Sequence, residues 1–164
     1  MAGRAWKFGD GISTDHIAPG RYFHLRSNLP ELAKHVLEDA RIDFAPNVKH
    51  GDFVVAGRNL GLGSSREHAP TIIKMAGVSA VLAKSFARIF YRNCINIGLP
   101  AIIVDTDQIE EGDTLEVDLG AGKVMDIAKN IELNFPPLPE VMTKILGEGG
   151  LIPYIKKHGG LPEI

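Results

Sequence analysis

Apolar residues along this chain follow two different rhythms. Between residues 52 and 104, short apolar runs alternate with segments of helical spacing. The runs near 52–56, 79–83 and 101–104 predict strands, and the segments near 69–76 and 86–96 predict helices. Strand–helix–strand alternation of this kind predicts parallel pairing. Upstream, residues 4–9 predict a first strand. A helix is predicted over 29–38, because Leu29, Leu32, Ala33, Val36 and Leu37 fall at i, i+3, i+4, i+7 and i+8. Asn28 with Glu31 suits its start, and Pro30 is tolerated in a first turn. Asn96-Ile97-Gly98-Leu99-Pro100 supplies stop signals for the second central helix.

Beyond Thr114 the period becomes two. Thr114–Leu119 alternates, Gly120-Ala121-Gly122 turns the chain, and Lys123–Ala128 and Asn130–Phe135 predict further strands of an antiparallel meander. Pro136-Pro137 marks a boundary. Leu138, Val141, Met142, Ile145 and Leu146 form a helical stripe closed by Gly147. A short last helix is expected over 150–157, with 158–164 frayed and flexible. No internal repeat or low-complexity tract interrupts this order. The reading is one α/β domain over 1–164: a mixed sheet with parallel strand–helix units and a β-rich C-terminal part.

Composition narrows the chemistry. The chain's 164 residues suffice for a real core. A formal net charge of −2 offers no electrostatic reason to expect a nucleic-acid partner. No apolar run reaches the roughly 20 residues of a membrane helix, so no membrane association is expected. The N-terminal residues lack the apolar core of a secretory signal, and the expected location is the cytoplasm. Cys94 is the single cysteine and the six histidines show no H-x-x-x-H spacing. No metal site is therefore assigned to this chain, and metal chemistry would have to come from a partner.

The stretch that concentrates chemistry is Gly61-Leu62-Gly63-Ser64-Ser65-Arg66-Glu67-His68-Ala69-Pro70. It lies between an apolar strand and an apolar helical segment. Glycines permit tight turns and close approach of a ligand, and the first turn of a helix seats anions. Two hydroxyls and a guanidinium there suggest a carboxylate site with a proton-transfer serine. A plainer reading stands beside it: Ser64 and Glu67 have the spacing of a capping box, which requires no function. Pro70 implies either an irregular first turn or a helix beginning near Ala69.

Several separated motifs resemble one family: Ser13-Thr14-Asp15-His16-Ile17, Gly61-x-Gly-Ser-Ser-Arg-Glu-His-Ala69, Lys84-Ser-Phe-Ala-Arg-Ile89, Asn93 and Gly98-Leu-Pro100. In that order they resemble the mobile β/β/α swivel domain of aconitase-type hydro-lyases. As a free-standing chain of this length, with Gly149-Gly-Leu-Ile-Pro-Tyr-Ile-Lys156 near its end, the sequence is similar to isopropylmalate dehydratase small subunits. The resemblance implies isomerisation of 2-isopropylmalate to 3-isopropylmalate by loss and re-addition of water, as in leucine biosynthesis. It implies a large subunit carrying a [4Fe-4S] cluster, with none bound here, and a small hydroxy-di- or tricarboxylate substrate. Carried over residue by residue, Ser64 matches the base that takes the proton from carbon. Ser65 and Arg66 match substrate contacts, and Asp15 matches an aspartate that pairs with a catalytic histidine of the other subunit. Asp15 has the alternative of a turn-forming residue.

Departures from the family pattern raise a question about substrate. Ala18 stands where the aconitase branch has serine, so that hydroxyl contact is not carried over. Residues 18–28 form a specificity loop in which Leu25-Arg26-Ser27 is closer to the homoaconitase pattern than to the apolar one of isopropylmalate enzymes. Arg26 would then bind a distal carboxylate, or else face solvent. A buried, unpaired arginine beside an apolar tail would cost several kcal/mol. Homoaconitase and dimethylmalate- or methylcitrate-type dehydratases are accordingly alternatives, and a carboxylate-binding module without catalysis is the alternative of another class. Lys84, Arg88 and Arg92, spaced i, i+4 and i+8, are read as one helix face: solvated, or facing the large subunit or a dianionic substrate. Cys94 and Trp6 are expected to pack, and His68 to hydrogen-bond near the serine loop.

Overall fold

The computed structural model describes residues 1–64, Arg66 and residues 68–161. Seven strands form one sheet: β1 (Ala2–Lys7), β2 (Phe53–Val55), β3 (Ala80–Ala83), β4 (Ala101–Ile103), β5 (Thr114–Asp118), β6 (Lys123–Asp126) and β7 (Ile131–Asn134). The order across it is β4-β3-β2-β1-β5-β6-β7. The first four are parallel, and β5, β6 and β7 form the antiparallel meander that the period-two pattern predicts. β1 joins the two halves by splitting its length. Residues 2–4 pair antiparallel with β5, Ala2 opposite Glu116, and residues 5–7 pair parallel with β2, Ala5 opposite Phe53.

That division explains the burial pattern. Every residue of β2 and β3 is buried, as expected of parallel strands covered on both faces. Val54 and Val81 face the helices with Trp6 and Phe8. Phe53, Val55, Ala80 and Leu82 face the other way, into a second core with Leu115, Val117, Val124 and Phe135 of the meander. The sheet therefore curls so that its antiparallel part covers the back of its parallel part, and the layers run helices, sheet, sheet. In β5 only the alternate residues Leu115 and Val117 are buried, which is why periodicity distinguishes the two halves.

The helical layer comprises α1 (Thr14–Ile17), a 3-10 helix (Gly20–Leu25), α2 (Leu29–Ala33), α3 (Phe44–Asn47), α4 (His68–Met75), α5 (Arg88–Asn96), α6 (Glu140–Gly147) and α7 (Leu151–His158). Three expectations need correction. The first strand starts and stops two residues earlier than 4–9, because its early residues find partners in β5, which lies far along the chain. The helix predicted over 29–38 ends at Ala33. Leu37 instead takes φ 57°, and its N–H donates to the Ile17 carbonyl at 2.9 Å. A tertiary bond here overrides helical periodicity, yet Leu32, Val36 and Leu37 are all buried as their spacing requires. Lys84 does not share a helix face with Arg88 and Arg92. It follows the end of β3 and pairs with Asp107 at 2.6 Å.

The expectations for Pro70, Cys94 and Trp6 hold. Pro70 is the third residue of α4, where the backbone N–H it lacks would have had no intrahelical partner. The Cys94 thiol is fully buried, which pushes its pKa well up. Trp6 is buried, and its indole N–H donates to Asp52 at 2.9 Å. Gly159, at φ 74°, closes α7, while residues 162–164 of the tail lie outside the described residues. Among the described residues no helix is long and apolar enough to cross a membrane.

One buried carboxyl in the meander titrates against the ordinary pattern. Asp126, only 2% exposed, accepts from the Lys129 N–H through Oδ1, while its Oδ2 meets no donor. Burial first, and then the Asp113 carboxylate beside it, raise its pKa. Asp113 is lowered: burial opposes this, but the Asp126 carboxyl beside it, the Glu110 N–H and Lys129 outweigh burial. The two carboxyls thus resist ionising together. Stability from Asp126 is present below its unfolded pKa and is lost as pH rises through its raised folded value. The contribution of Asp113 has the opposite sign, lost as pH falls through its lowered value. Asp126→Asn supplies a permanent donor to Asp113, so it should stabilise the fold by about 1 kcal/mol at neutral pH and less near pH 4. Thermal unfolding across that range checks this; parallel curves for both proteins would refute the coupling of the two carboxyls.

Candidate functional site

Parallel strands deliver their carboxyl ends to one edge of the sheet, and in open α/β sheets ligands bind beyond that edge. Here the chains leaving β1, β2 and β3 stay stitched after the strands end. The Gly11 N–H donates to the Arg58 carbonyl at 2.8 Å, Gly61 to Ile12 at 2.7 Å, and Thr14 to Leu62 at 2.8 Å. Ser13 and Leu62 form a parallel bridge, as do Leu60 and Phe86. The Ser13-Thr14-Asp15-His16 stretch and the glycine loop, some fifty residues apart in sequence, are thus held in register as neighbours.

Local signals shape each piece. The Ser13 hydroxyl accepts from the His16 N–H at 3.2 Å and the His16 ring accepts from the Ser13 N–H at 2.9 Å, so α1 begins in a capping box. Gly61 takes φ 86°, and a Cβ there would lie 2.0 Å from Phe90 Cγ. Gly63 takes φ 111°, and a Cβ there would come within 3.0 Å of Thr14 Oγ1. Both glycines let the loop lie flat on its support.

Most of the expected site residues come together. Arg66 donates to Asp15 Oδ1 at 2.6 Å and to the Ala18 carbonyl at 3.2 Å. Ser64 is exposed, with its Oγ 3.3 Å from Thr14 Oγ1. Arg26 lies 4.3 Å over the Phe23 ring and donates to the Phe23 carbonyl, while Arg66 lies 5.7 Å from the same ring. Two guanidiniums thus bracket one half-exposed aromatic, and Arg26 is exposed rather than buried. The loop carrying Arg26 is anchored by Tyr22 stacked on His35 at 3.8 Å, and by Arg21 paired with Glu38 and Asp39. Ser65 and Glu67 lie outside the described residues.

The local field is positive. His68 is half-buried, and burial first, then Arg66 and Arg26, lower its pKa, so it is held neutral. The charge that meets an anion is therefore that of the two arginines. Sequence reasoning passed over Thr14 and Phe23. The first is a buried hydroxyl inside a quoted motif, and the second is an aromatic within the specificity loop; neither has a periodic signal of its own. None of Ser64, Arg66, Asp15 and Arg26 lines the clefts on the meander side, around Glu116 and Met125, or beside Pro137 and Leu146. Their cluster is an open face. Among the described residues no group of three or more His, Cys, Asp or Glu side chains could hold a metal ion.

The chain is similar to proteins of one family. Residues 27–106 match the family described as the aconitase C-terminal domain. The chain is 68% identical over 161 residues to 3-isopropylmalate dehydratase small subunit 2 of Archaeoglobus fulgidus, covering 98% of each chain. It is 61% identical to small subunit 1 of the same enzyme from Thermotoga maritima, covering 100% of this chain and 99% of that one. Among solved structures, 3-isopropylmalate dehydratase of Methanocaldococcus jannaschii matches with a TM-score of 0.93 at 46% identity, covering 96% of this chain and 94% of the other.

The loop geometry carries a direct expectation. Gly61→Ala forces a Cβ into Phe90 at a positive φ, so it should destabilise the chain by about 3 kcal/mol or more. Chemical denaturation measures this; an unchanged midpoint would mean that the loop is not pressed against α5.

Proposed function

The chain belongs to the aconitase-type family of 3-isopropylmalate dehydratase small subunits, and we propose that it serves as the small subunit of the hydro-lyase that interconverts 2-isopropylmalate and 3-isopropylmalate by loss and re-addition of water. The observation that carries the site assignment is the convergence of Ser64, Arg66 and Asp15 on one open face at the carboxyl edge of the parallel strands. An open face is half of a site, and a cluster-bearing large subunit is the expected other half. This chain acts as one swivel unit that closes over the substrate.

Each residue has a physical task. Arg66 is pre-aimed by Asp15 and the Ala18 carbonyl, and its remaining N–H groups can grip a substrate carboxylate. The Asp15–Arg66 pair is exposed on the aspartate side, so it contributes under about 1 kcal/mol and yields readily to a bound carboxylate. Asp15 is then free to meet a histidine of the large subunit. Ser64 offers its exposed Oγ as the base toward the carbon-bound proton, and the nearby guanidiniums favour the alkoxide it must form. Ser65 is assigned a substrate contact on the resemblance alone.

The residues of this chain do not fit an iron–sulfur cluster. Its single cysteine is buried with a raised pKa, and thiolates are the required ligands. We place the [4Fe-4S] cluster in the large subunit, where its open iron would supply a Lewis acid. Arg26 is exposed on Phe23, so an isopropyl tail does not face a buried unpaired charge. The Phe23 ring offers that tail an apolar surface, and Arg26 is left for a carboxylate.

Reconstituted with its large subunit, Ser64→Ala and Arg66→Ala should each lower turnover of 3-isopropylmalate at least about a hundredfold while assembly persists. Wild-type turnover in both would remove the site assignment. A substrate panel with and without Arg26→Val should show isopropylmalate preferred over homocitrate. A tricarboxylate preference that disappears in the variant would transfer the assignment to homoaconitase.

A further inference from the structure

We infer that Thr14 is a positioning residue that holds and polarises Ser64; this rests on the reading of Ser64 as the base. Thr14 is one of four polar side chains buried among the described residues, at 2% exposure, between neighbours that reach solvent. Its backbone is fully used: the N–H donates to Leu62 and the carbonyl accepts from the Ala18 N–H, both at 2.8 Å. Other buried polar side chains serve the fold. Thr106 donates to the Ala56 carbonyl at 2.7 Å, and Asp52 accepts from the Lys49 N–H and the Trp6 indole, both at 2.9 Å. The Thr14 hydroxyl instead lies 3.3 Å from Ser64 Oγ, an exposed side chain of the site.

The surroundings enforce this contact. Thr14 is locked by the bond to Leu62, and Gly63 lies so close that any side chain there would crowd Oγ1. A hydroxyl held in a buried pocket donates from a fixed direction. While Ser64 is protonated, either hydroxyl can be the donor. Once Ser64 is an alkoxide, only Thr14 can donate, and hydrogen bonds to charged acceptors are the stronger kind. Thr14 therefore favours the reactive form of Ser64 and fixes the direction in which Oγ points, without itself touching substrate. Threonine suits the position because its methyl packs while its hydroxyl reaches the surface residue.

The test uses the enzyme reconstituted with its large subunit, comparing Thr14→Val, Thr14→Ser and Ser64→Ala. Thr14→Val keeps the shape and removes the donor. It should lower kcat about ten- to hundredfold with KM within about twofold, and shift the pH–rate profile to require higher pH. Thr14→Ser should restore kcat to within about threefold and return the profile to its wild-type position. If Thr14→Val fails to assemble, Thr14→Ala with the same readouts replaces it. An inactive Ser64→Ala beside a Thr14 variant of wild-type kcat and unshifted profile would overturn the inference and leave Ser64 as the base. Equal loss in Thr14→Val and Thr14→Ser would also overturn it, by showing packing rather than a donor. Wild-type turnover in Ser64→Ala would remove both.

Discussion

Backbone hydrogen bonding between two loops is the constraint on which this molecule's chemistry depends. The strands β1 and β2 end at Lys7 and Val55, but the chains beyond them remain paired through Gly11, Ile12 and Thr14 on one side and Arg58, Gly61 and Leu62 on the other. Irregular backbone must satisfy its polar groups somewhere, and here each loop satisfies the other. The consequence is positional. Asp15 and Arg66, Thr14 and Ser64 meet as pairs although each pair is some fifty residues apart in sequence. Glycines at 61 and 63 make the stitch possible, because the loop rests on Phe90 below and Thr14 beside it with no room for side chains.

The rest of the fold exists to hold that edge still. Parallel strands need cover on both faces, and this chain covers them unequally: helices on one side, its own antiparallel meander on the other. β1 performs the join by pairing half its length with β2 and half with β5. Both cores are therefore closed within one chain, and the carboxyl edge of the parallel strands is left uncovered. A surface so rich in paired charges and hydroxyls is suited to being closed by another polypeptide.

Electrostatics at the face balances readiness against stability. Arg66 is paired, but with an exposed carboxylate whose attraction is weak in water, so the pairing orients the guanidinium without sequestering it. Arg26 rests on the Phe23 ring, a contact of similar size, and is similarly available. His68 stays neutral under the same positive field, so it does not compete for the anion.

How much of this the amino-acid order determined can be read element by element. The alternation of apolar runs and helical stripes placed β2, β3, β4, α4 and α5 to within two residues, and the change of period found the meander, because those patterns follow from which faces are buried. The G-S-S-R-E-H-A string and its companions identified the family and nominated Ser64, Arg66, Asp15 and Arg26, since local residue types carry chemistry wherever they fold. What only the tertiary structure decided were contacts between distant segments. Leu37 leaves its helix for the Ile17 carbonyl, Lys84 belongs to a strand end beside Asp107, and Arg26 lies exposed on Phe23 beside Arg66. Thr14 beneath Ser64 is of the same kind: a hydrogen bond across fifty residues leaves no periodicity in the chain, because its geometry is set by how two loops pair and not by either loop alone.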